Sequence, residues 1–493
     1  MNLIKNKLFN TSAINIFIIL FVFVWSSKLF YLWSTDFGHY YIGANVINDD
    51  YRLYNELFEH KGPVYYFFIF LISKVIGYGY FQSYFVLCLT VLLYIFSLHK
   101  LCHFYQISKA YRSLVFLIFT SQLIRLNENV SLDIFKGALL ILAFLYFMQY
   151  LKTDKNNSLL ISFFFFSLAV LTRIDALFFI PIYFFALSET RNNKLFFTIK
   201  STIKFSIIFS LLLLLFSIFY NFTISEFYIL NVDFNSWRAM QSLSIISFHP
   251  ILAYLHRPRL VEELLINGSV IAFLIVNYLP RHEKLKKIFI ASALPNVVLT
   301  LGLFSLIVSL SEKPYHLFIF YPYFTIYLVI KLSQLRKDID IKLFITTFSL
   351  ITIFFVSPIA KTYLSDRSCF TDPFCNLSSL NNTKEIVDEI KNSNNQQILI
   401  VSSFSWVYLF SETQPVISLD DNWLYMLDEP YTNSKGYLNS YEIINELKSN
   451  EYFYIYKSFY NQNFNNTNEF FENIWSKPYE IEELGDFLKI TYK

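Results

Sequence analysis

DFGHYYIGANVINDDYRLYNELFEHKGP, residues 36 to 63, is the one polar island in the first hundred residues of the chain. One apolar segment precedes it and another follows it. It gathers carboxylates, cations and imidazoles, namely Asp36, Asp49, Asp50, Glu56, Glu59, Arg52, Lys61, His39 and His60. Ionisable groups at membrane depth are costly unless they line a wet cavity or a functional site. The stretch therefore predicts a catalytic loop at a membrane surface.

The composition indicates a membrane protein with many spans. Of the 493 residues, 55% are hydrophobic and only 16% are charged, and 57 Phe and 36 Tyr stand against 10 Gly. This profile is typical of a polytopic membrane protein rather than a soluble one. The net charge of +3 arises from short basic clusters between apolar runs, so nucleic-acid binding is not expected.

Twelve apolar stretches divide residues 1–357. The first, at 14–33, is long enough to cross a hydrocarbon core of about 30 Å, and no small-residue cleavage site follows it, so we expect a retained span. The others are at 64–76, 80–98, 113–124, 134–151, 158–172, 176–188, 203–220, 261–279, 288–310, 316–333 and 343–357.

The short stretch at 64–76 decides the topology. Its 13 residues fall short of the roughly 20 that a spanning helix needs. If it lies at the interface, the N-terminal side of the membrane holds 19 Lys and Arg, against nine on the opposite side outside the C-terminal region. The positive-inside bias favours this arrangement. It gives about eleven transmembrane helices, a large first external loop at 34–79 and an external segment at 221–260 that either folds over that loop or is an ordinary connector.

Residues 358–493 differ from the rest, because Asn, Ser, Asp and Glu become frequent and long apolar runs vanish. Helical periodicity at 383–393 and a buried-strand pattern at 397–403 are followed by the same order over 440–458, which predicts a small external α/β domain. Its role is not readable from these residues. Cys369 and Cys375 share one polar loop there, and they either form a disulfide or stay free thiols.

The two ends of the first external loop carry side chains suited to base and anion chemistry. Asp36 follows the first span, and in a helical turn His39 and Tyr40 share its face, an arrangement that suits a base with orienting neighbours. At the other end Lys61 precedes Pro63, a residue that is tolerated at a helix start. A cation held there suits an anionic lipid headgroup. Each of these residues, taken alone, is more often a solvated loop residue.

Together, DFGHYYIGANVI and YRLYNELFEHKGPVYYF resemble the first external loop of the GT-C class of integral-membrane glycosyltransferases. The similarity is greatest to the bacterial group related to protein O-mannosyltransferases, aminoarabinose transferases and rhizobial lipopolysaccharide sugar transferases. The resemblance implies that Asp36 is catalytic and that Lys61 and His60 contact the phosphate of a polyprenyl carrier. Phe37 stands where many members have a second acid, which weakens the case for a metal. No cofactor is firmly implied, and a divalent metal stays open.

Weaker matches along 14–357 supply further candidates. Arg173 lies at the outer end of the fifth span, where the family often has a cation, and either contacts the carrier phosphate or forms a structural ion pair with Asp175. Glu128 and Asp133 lie in the external loop before the 134–151 span, where relatives carry an acid, although helix-end charges are an equal alternative. Substrate contacts are also expected from outer side chains, namely His39, Tyr40, Arg52, Glu59, Tyr315 and His316.

The resemblance implies a simple reaction. A lipid-linked sugar lies in the outer leaflet, and Asp36 removes the proton of an acceptor hydroxyl as that hydroxyl attacks the anomeric carbon. The leaving phosphate is a stable anion, so cations such as Lys61 stabilise it and no general acid is needed. Direct attack predicts inversion at the anomeric carbon. The acceptor is a glycolipid, a polysaccharide or a protein, and neither it nor the sugar is readable from the residues.

Two other functions stay open at this point. A flippase for a lipid-linked glycan would place charges near the midplane of interrupted helices, whereas these spans hold few charges and show no internal repeat. An O-antigen ligase or polymerase would use Arg and His in a large late external loop, and 221–260 contains both. The acidic first loop and the C-terminal region favour the transferase. We expect it in a bacterial inner or plasma membrane, with the active site and residues 358–493 on the periplasmic or external side.

Overall fold

The computed structural model describes two compact units, each of which is discontinuous in sequence. The first contains Met1–Leu89, Leu214–Asn231 and Thr352–Lys493, and the second contains Thr90–Leu213 and Val232–Ile351. Within them the described residues are 40, 43–44, 53–54, 61–77, 80–107, 112, 115–116, 130–190, 194–233, 236, 293–308, 317–333, 383–392, 397–398, 400–401, 414–415, 452–456, 479–484 and 487–492.

Helices dominate the described part of the chain. Those with defined bounds are α1 (Pro63–Ile76), α2 (Tyr80–Phe104), α3 (Val130–Thr153), α4 (Asn156–Thr172), α5 (Ile180–Thr190), α6 (Lys194–Phe219), α7 (Ile224–Tyr228), α8 (Ala293–Val308), α9 (Leu317–Ser333) and α10 (Thr383–Asn392). A 3-10 helix (Ile174–Phe179) connects α4 to α5, and a π-helix (Ile229–Asp233) follows α7.

Several of these helices have the character of membrane spans. Within the described residues, three are long and apolar enough to cross a bilayer, namely Phe85–Phe104, Leu132–Thr153 and Ile199–Phe219. They coincide with the spans that the sequence predicts at 80–98, 134–151 and 203–220. Shorter apolar helices lie at Pro63–Ile76, Asn156–Thr172 and Ile174–Leu187. The mostly helical, membrane-type architecture is therefore confirmed, while the total of eleven spans stays a prediction.

The spans differ in how much of their surface is covered by protein. In Leu132–Thr153, 78% of the most apolar part of the helix is buried inside the protein. In Ile199–Phe219, only 11% of the corresponding part is buried. The outward stripe of α6 is aliphatic and includes Ile203, Ile207 and Leu211. Such a surface is tolerated in lipid, because the acyl chains are as apolar as the side chains. Thus α3 has the character of a central span and α6 that of a peripheral one.

In the second unit, α3 packs against α4 and α9. Gly137 permits the close approach to α9, since a Cβ there would lie 2.8 Å from Pro322 Cγ and 3.0 Å from Tyr94 Cε2. The Tyr94 hydroxyl also lies 3.3 Å from the Thr325 hydroxyl, which links α2 to α9. A small residue at this contact brings helix backbones together where no hydrophobic driving force between spans exists.

In the first unit, α1 begins and ends as its sequence dictates. Pro63 occupies the first turn, where its missing N–H costs nothing, and Gly77 caps the other end at a φ of 93°. The helix packs its Phe67 and Phe70 rings on Phe219, with centroids 4.9 Å and 5.7 Å apart. The predicted helix start at Pro63 is therefore confirmed, and its neighbour Lys61 lies just outside the first turn.

In the C-terminal part, the described residues form α10 and six strands. The strands are β1 (Gln397–Ile398), β2 (Ile400–Val401), β3 (Gln414–Pro415), β4 (Tyr452–Tyr456), β5 (Tyr479–Leu484) and β6 (Phe487–Tyr492). Strands β1 and β3 pair in parallel, and the other four form a sheet in the order β2-β4-β6-β5. Only the β2–β4 pair of that sheet is parallel, with Ile400 opposite Tyr454.

Several of these elements lie where the sequence predicts them. The helix α10 matches the predicted 383–393, β1 and β2 fall within 397–403, and β4 falls within 451–458. The helix expected at 440–449 lies outside the described residues. The β5–β6 hairpin was not predicted, although the Gly-Asp pair between the two strands is a hairpin signal. That residues 358–493 form a separate external α/β domain stays a prediction.

Candidate active site

Lys61 stands at the N-terminus of α1. Gly62 is the N-cap in an extended conformation, and no side chain caps the helix there. The amide groups of the first turn carry the positive end of the helix dipole. A half-buried ammonium therefore precedes a helix end that itself favours negative charge.

The Lys61 ammonium lies over an aromatic ring. Its Nζ is 4.8 Å from the centroid of Tyr40, a residue that is only 2% exposed. The Tyr40 ring in turn meets Tyr65 edge-on at 5.3 Å and Tyr66 at 6.2 Å. Tyr65 and Tyr66 belong to the first turn of α1. A cation–π contact with the Tyr40 ring thus holds the lysine side chain beside the start of α1.

Tyr54 fixes the backbone of the same lysine. Its hydroxyl donates a hydrogen bond of 2.8 Å to the Lys61 carbonyl oxygen. Tyr54 is fully buried with a φ of 72°, a left-handed conformation that a bulky side chain adopts only when its surroundings enforce it. Those surroundings are the rings of Phe222 and Phe227, with centroids 4.9 Å and 5.9 Å away.

The two aromatic partners of Tyr54 come from residues 221–260, which the sequence predicts to be external. Thr223 and Glu226 form a capping box at the start of α7, which places Phe222 and Phe227 on either side of the cap. The Leu53 amide also donates a hydrogen bond of 3.3 Å to the Tyr220 carbonyl oxygen. These contacts join Leu53 and Tyr54 to the start of the 221–260 segment, and folding of that whole segment over the first loop stays a prediction.

Four charged side chains form a network in the second unit. Lys136 Nζ lies 3.0 Å from Asp133 Oδ1 and 3.0 Å from Asp175 Oδ2. Arg173 Nη1 lies 3.1 Å from both carboxylate oxygens of Asp133, and its Nε lies 3.3 Å from Asp175 Oδ2. Each cation therefore contacts both carboxylates, and the formal charge of the quartet is zero.

Local structure explains why these four residues meet. Asp133 and Lys136 are three residues apart on α3, and so they share one face of that helix. Arg173 ends α4 in an extended conformation, and Asp175 lies in the first turn of the 3-10 helix that follows. Lys136 and Asp133 are buried, with side chains 1% and 4% exposed, whereas Asp175 and Arg173 reach 15% and 23%. Pairing offsets the desolvation of the inner pair.

The structure thus brings together three residues that the sequence singled out, Asp133, Arg173 and Asp175, and adds Lys136. Sequence analysis missed Lys136 because it lies inside an apolar run. The available signal was that Lys136 lies within the predicted span 134–151, three residues after the carboxylate of Asp133. Tyr54 was also missed, since a tyrosine in a polar loop carries no sign that its hydroxyl fixes a backbone.

Other predicted site residues lie outside the described part of the chain. They are Asp36, His39, Arg52, Glu59, His60, Glu128, Tyr315, His316, Cys369 and Cys375. Among the described ranges, no group of three His, Cys, Asp or Glu side chains is placed to hold a metal ion. Because all five acids of the first loop are outside those ranges, a divalent metal stays an open alternative.

Comparison with known proteins agrees with this picture. Residues 60–222 match the family model described as dolichyl-phosphate-mannose-protein mannosyltransferase. The crystal structure of ArnT from Cupriavidus metallidurans bound to undecaprenyl phosphate has a TM-score of 0.56 and 10% identity, with 97% of this chain and 98% of that chain covered. The apo state of the same ArnT has a TM-score of 0.57, with the same identity and coverage. A search of curated proteins finds no significant match.

This is the fold of the GT-C class. The resemblance that the first external loop carries is therefore confirmed, by a family model that includes Lys61 and by a fold shared over nearly the whole chain. The archaeal oligosaccharyltransferase AglB from Archaeoglobus fulgidus has a TM-score of 0.48 and 10% identity over 99% of this chain and 74% of that chain, too low a score to establish a shared fold. The GT-C fold and the family model together support a membrane glycosyltransferase.

Proposed function

We propose that this chain transfers a sugar from a polyprenyl-phosphate-linked donor to an acceptor hydroxyl at the external face of the membrane. The observation that carries the proposal is the family match over 60–222, which includes Lys61 and α1, within a chain of GT-C fold. An ArnT structure of that fold contains undecaprenyl phosphate, and a lipid phosphate of this kind is the carrier that we assign to the present chain.

The reaction that we propose needs one base and one anion site. Asp36 accepts the proton of the acceptor hydroxyl while the hydroxyl oxygen forms a bond to the anomeric carbon. The bond from that carbon to the carrier phosphate oxygen breaks, and the electron pair leaves with the phosphate. Because attack and departure occur on opposite faces of the carbon, the product is inverted. The Lys61 ammonium stabilises the charge that develops on the leaving oxygen.

The geometry around Lys61 supports this role. The side chain is held before the reaction by the Tyr40 ring, and the backbone is held by the Tyr54 hydroxyl. A preorganised cation stabilises developing charge without having to reorganise during the reaction. The uncapped start of α1 adds backbone partial positive charge beside it.

Arg173 receives a different assignment. Its guanidinium pairs with Asp133 and Asp175, which corresponds to the structural ion pair that the sequence left open as an alternative to phosphate binding. We therefore assign the quartet to structure and keep Lys61 and His60 as the carrier contacts. We propose that the substrates are surrounded by His39, Arg52, Glu59, Glu128, Tyr315 and His316. Tyr40 is buried against Lys61 and is assigned to that lysine instead.

Sugar transfer in membranes provides the test. Membranes with equal amounts of wild type, Asp36→Asn or Lys61→Met are given a pool of radiolabelled polyprenyl-phosphate sugars, and label lost from the lipid is counted. We expect a loss of roughly 10²–10⁴-fold for Asp36→Asn and of roughly 10²–10³-fold for Lys61→Met. Asp49→Asn, in the same loop, and Lys74→Met, in the last turn of α1, are the matched controls and should retain turnover.

Each result has a distinct consequence. Equal turnover in Asp36→Asn and wild type would remove Asp36 as the base. Donor lipid that crosses the bilayer without losing its sugar, measured in sealed vesicles, would favour the flippase and contradict the transferase. Joining of long glycan chains without consumption of a monosaccharide-charged lipid would favour the ligase or polymerase.

A further inference from the structure

We propose that Tyr40 is a positioning residue that aims the Lys61 ammonium at the carrier phosphate through the face of its ring. This inference rests on the proposed function of Lys61. The observation behind it is the distance of 4.8 Å between Lys61 Nζ and the Tyr40 ring centroid, inside the range of about 6 Å over which a ring attracts a cation. Tyr40 therefore acts through the lysine and need not touch the substrate itself.

The ring is fixed by the helix that Lys61 precedes. Tyr65 meets it at an interplanar angle of 87°, the edge-to-face arrangement that aromatic pairs favour, and Tyr66 meets it at 53°. Both residues are fully buried in the first turn of α1. Lys61 lies two residues before Pro63, so its side chain contacts a ring that is anchored on the helix it introduces. Lysine, ring and helix start form one packed group.

This packing affects a side chain that is otherwise flexible. Lysine carries its charge on a four-carbon stem with many rotamers, and ordering that stem on binding lowers affinity. The ring lies against one side of the ammonium, so a carrier phosphate would approach the Lys61 Nζ from another side. The Tyr54 hydroxyl fixes the other end of the same residue at its carbonyl oxygen, 2.8 Å away. Lys61 is thus held at both ends, at its ammonium by the Tyr40 ring and at its carbonyl oxygen by the Tyr54 hydroxyl.

The ring face, and not the phenol hydroxyl, carries the proposed role. Tyr40→Phe keeps the ring and should leave donor KM within about twofold of wild type, whereas Tyr40→Leu keeps apolar bulk but loses the ring and should raise donor KM roughly tenfold. In the Lys61→Met background, Tyr40→Leu should have no further effect on KM. A loss in Tyr40→Phe as large as that in Tyr40→Leu, or an undiminished loss in the Lys61→Met background, would overturn the proposal.

A second measurement needs no donor lipid. An amine-directed reagent labels Lys61 in the purified full chain, and mass spectrometry gives its rate relative to Lys74, whose side chain is exposed. The ring covers one side of the amine, so Tyr40→Leu should label several-fold faster than wild type and Tyr40→Phe should not. Equal rates in all three proteins refute the positioning role. Ring-dependent labelling in a protein that transfers no sugar would instead contradict the proposed function and leave this geometry standing.

Discussion

Lys136 joins α3 to the 3-10 helix by placing its Nζ 3.0 Å from both carboxylate oxygens of Asp175. The lysine is 1% exposed, and it lies within the apolar helix with the greatest buried share of the three described candidate spans. A lone ammonium in that position would be costly to desolvate. The two carboxylates that contact it make the position tolerable, and in return it fixes the connection between α4 and α5.

Replacing this lysine should destabilise the protein strongly. In Lys136→Met, the quartet keeps two carboxylates and one cation, so its formal charge changes from zero to −1. We expect the free energy of unfolding to fall by about 3–5 kcal/mol. Thermal unfolding of the purified protein in detergent measures the change.

Charge balance gives that experiment its control. Lys136→Met/Asp175→Asn removes one charge of each sign, and it should unfold at a higher temperature than Lys136→Met alone. Lys204→Met removes a half-buried lysine whose Nζ donates a hydrogen bond of 3.0 Å to Asn156 Oδ1, and it should have little effect. A double variant no more stable than the single one would show that charge balance is not what Lys136 supplies.

Arg173→Gln separates the two functions that the sequence allows for Arg173. As a structural ion pair, Arg173 contributes to stability, so Arg173→Gln and Asp133→Asn should both lower the unfolding temperature. The loss of stability in the double variant should be smaller than the sum of the losses in the two single variants, because Arg173 and Asp133 interact directly. Donor KM of the surviving folded protein should be unchanged. A raised donor KM with an unaltered unfolding temperature would instead establish the phosphate-contact role.

Tyr54→Phe removes one hydroxyl and tests whether the backbone of Lys61 matters. The Lys61 carbonyl oxygen loses a hydrogen bond of 2.8 Å, while the ring keeps its packing on Phe222 and Phe227. We expect a loss of about 1 kcal/mol in stability and a several-fold rise in donor KM. Tyr228→Phe, at an exposed position of α7, is the control. An unchanged KM in Tyr54→Phe would mean that the hydrogen bond only stabilises the fold.

Gly137→Ala tests the close approach of α3 and α9. The added Cβ would lie 2.8 Å from Pro322 Cγ, a ring atom that has little freedom to move. We expect a loss of about 1–3 kcal/mol from overpacking. The same substitution in a Pro322→Ala background should cost less, because the nearest atom is gone. Identical costs in the two backgrounds would place the strain elsewhere, for example at Tyr94.

In the C-terminal part, the Glu389–Lys489 pair predicts a pH effect. Burial lowers the pKa of Lys489, but the Glu389 carboxylate, 2.7 Å away, together with its other neighbours outweighs burial, and the net pKa is raised. Glu482 and Tyr452 also face the ammonium and raise its pKa. Because the folded-state pKa of Lys489 is raised, the pair stabilises the folded protein at pH values below the unfolded-state pKa of about 10.4. This stabilisation disappears as the pH rises through the folded-state pKa.

Glu389→Gln should therefore be less stable than wild type near neutral pH, by under about 1 kcal/mol because the pair is partly exposed. The difference should persist up to about pH 10 and shrink above it. Unfolding curves of both proteins at a series of pH values measure this. A difference that grows with pH would have the wrong sign for a lysine of raised pKa.

Much of the architecture follows from the sequence because membrane spans are coded locally. The apolar runs at 80–98, 134–151 and 203–220 contain enough consecutive hydrophobic residues to be recognised without any partner. The start of α1 was equally local, since Pro63 fits only the first turn of a helix. The polar island at residues 36–63 resembles the first external loop of the GT-C class by its sequence alone.

What only the tertiary structure decided are the contacts between residues distant in sequence. Nothing in the run around Lys136 states that Asp175, 39 residues later, neutralises it, because the pairing depends on how α4 turns into the 3-10 helix. Likewise Tyr40 and Lys61 are recognisable singly, but their cation–π contact exists only because Tyr65 and Tyr66 hold the ring at the helix start. Hydrophobicity and helix signals act over neighbouring residues and are legible in sequence, whereas ion pairs and ring contacts depend on the packing of separate elements.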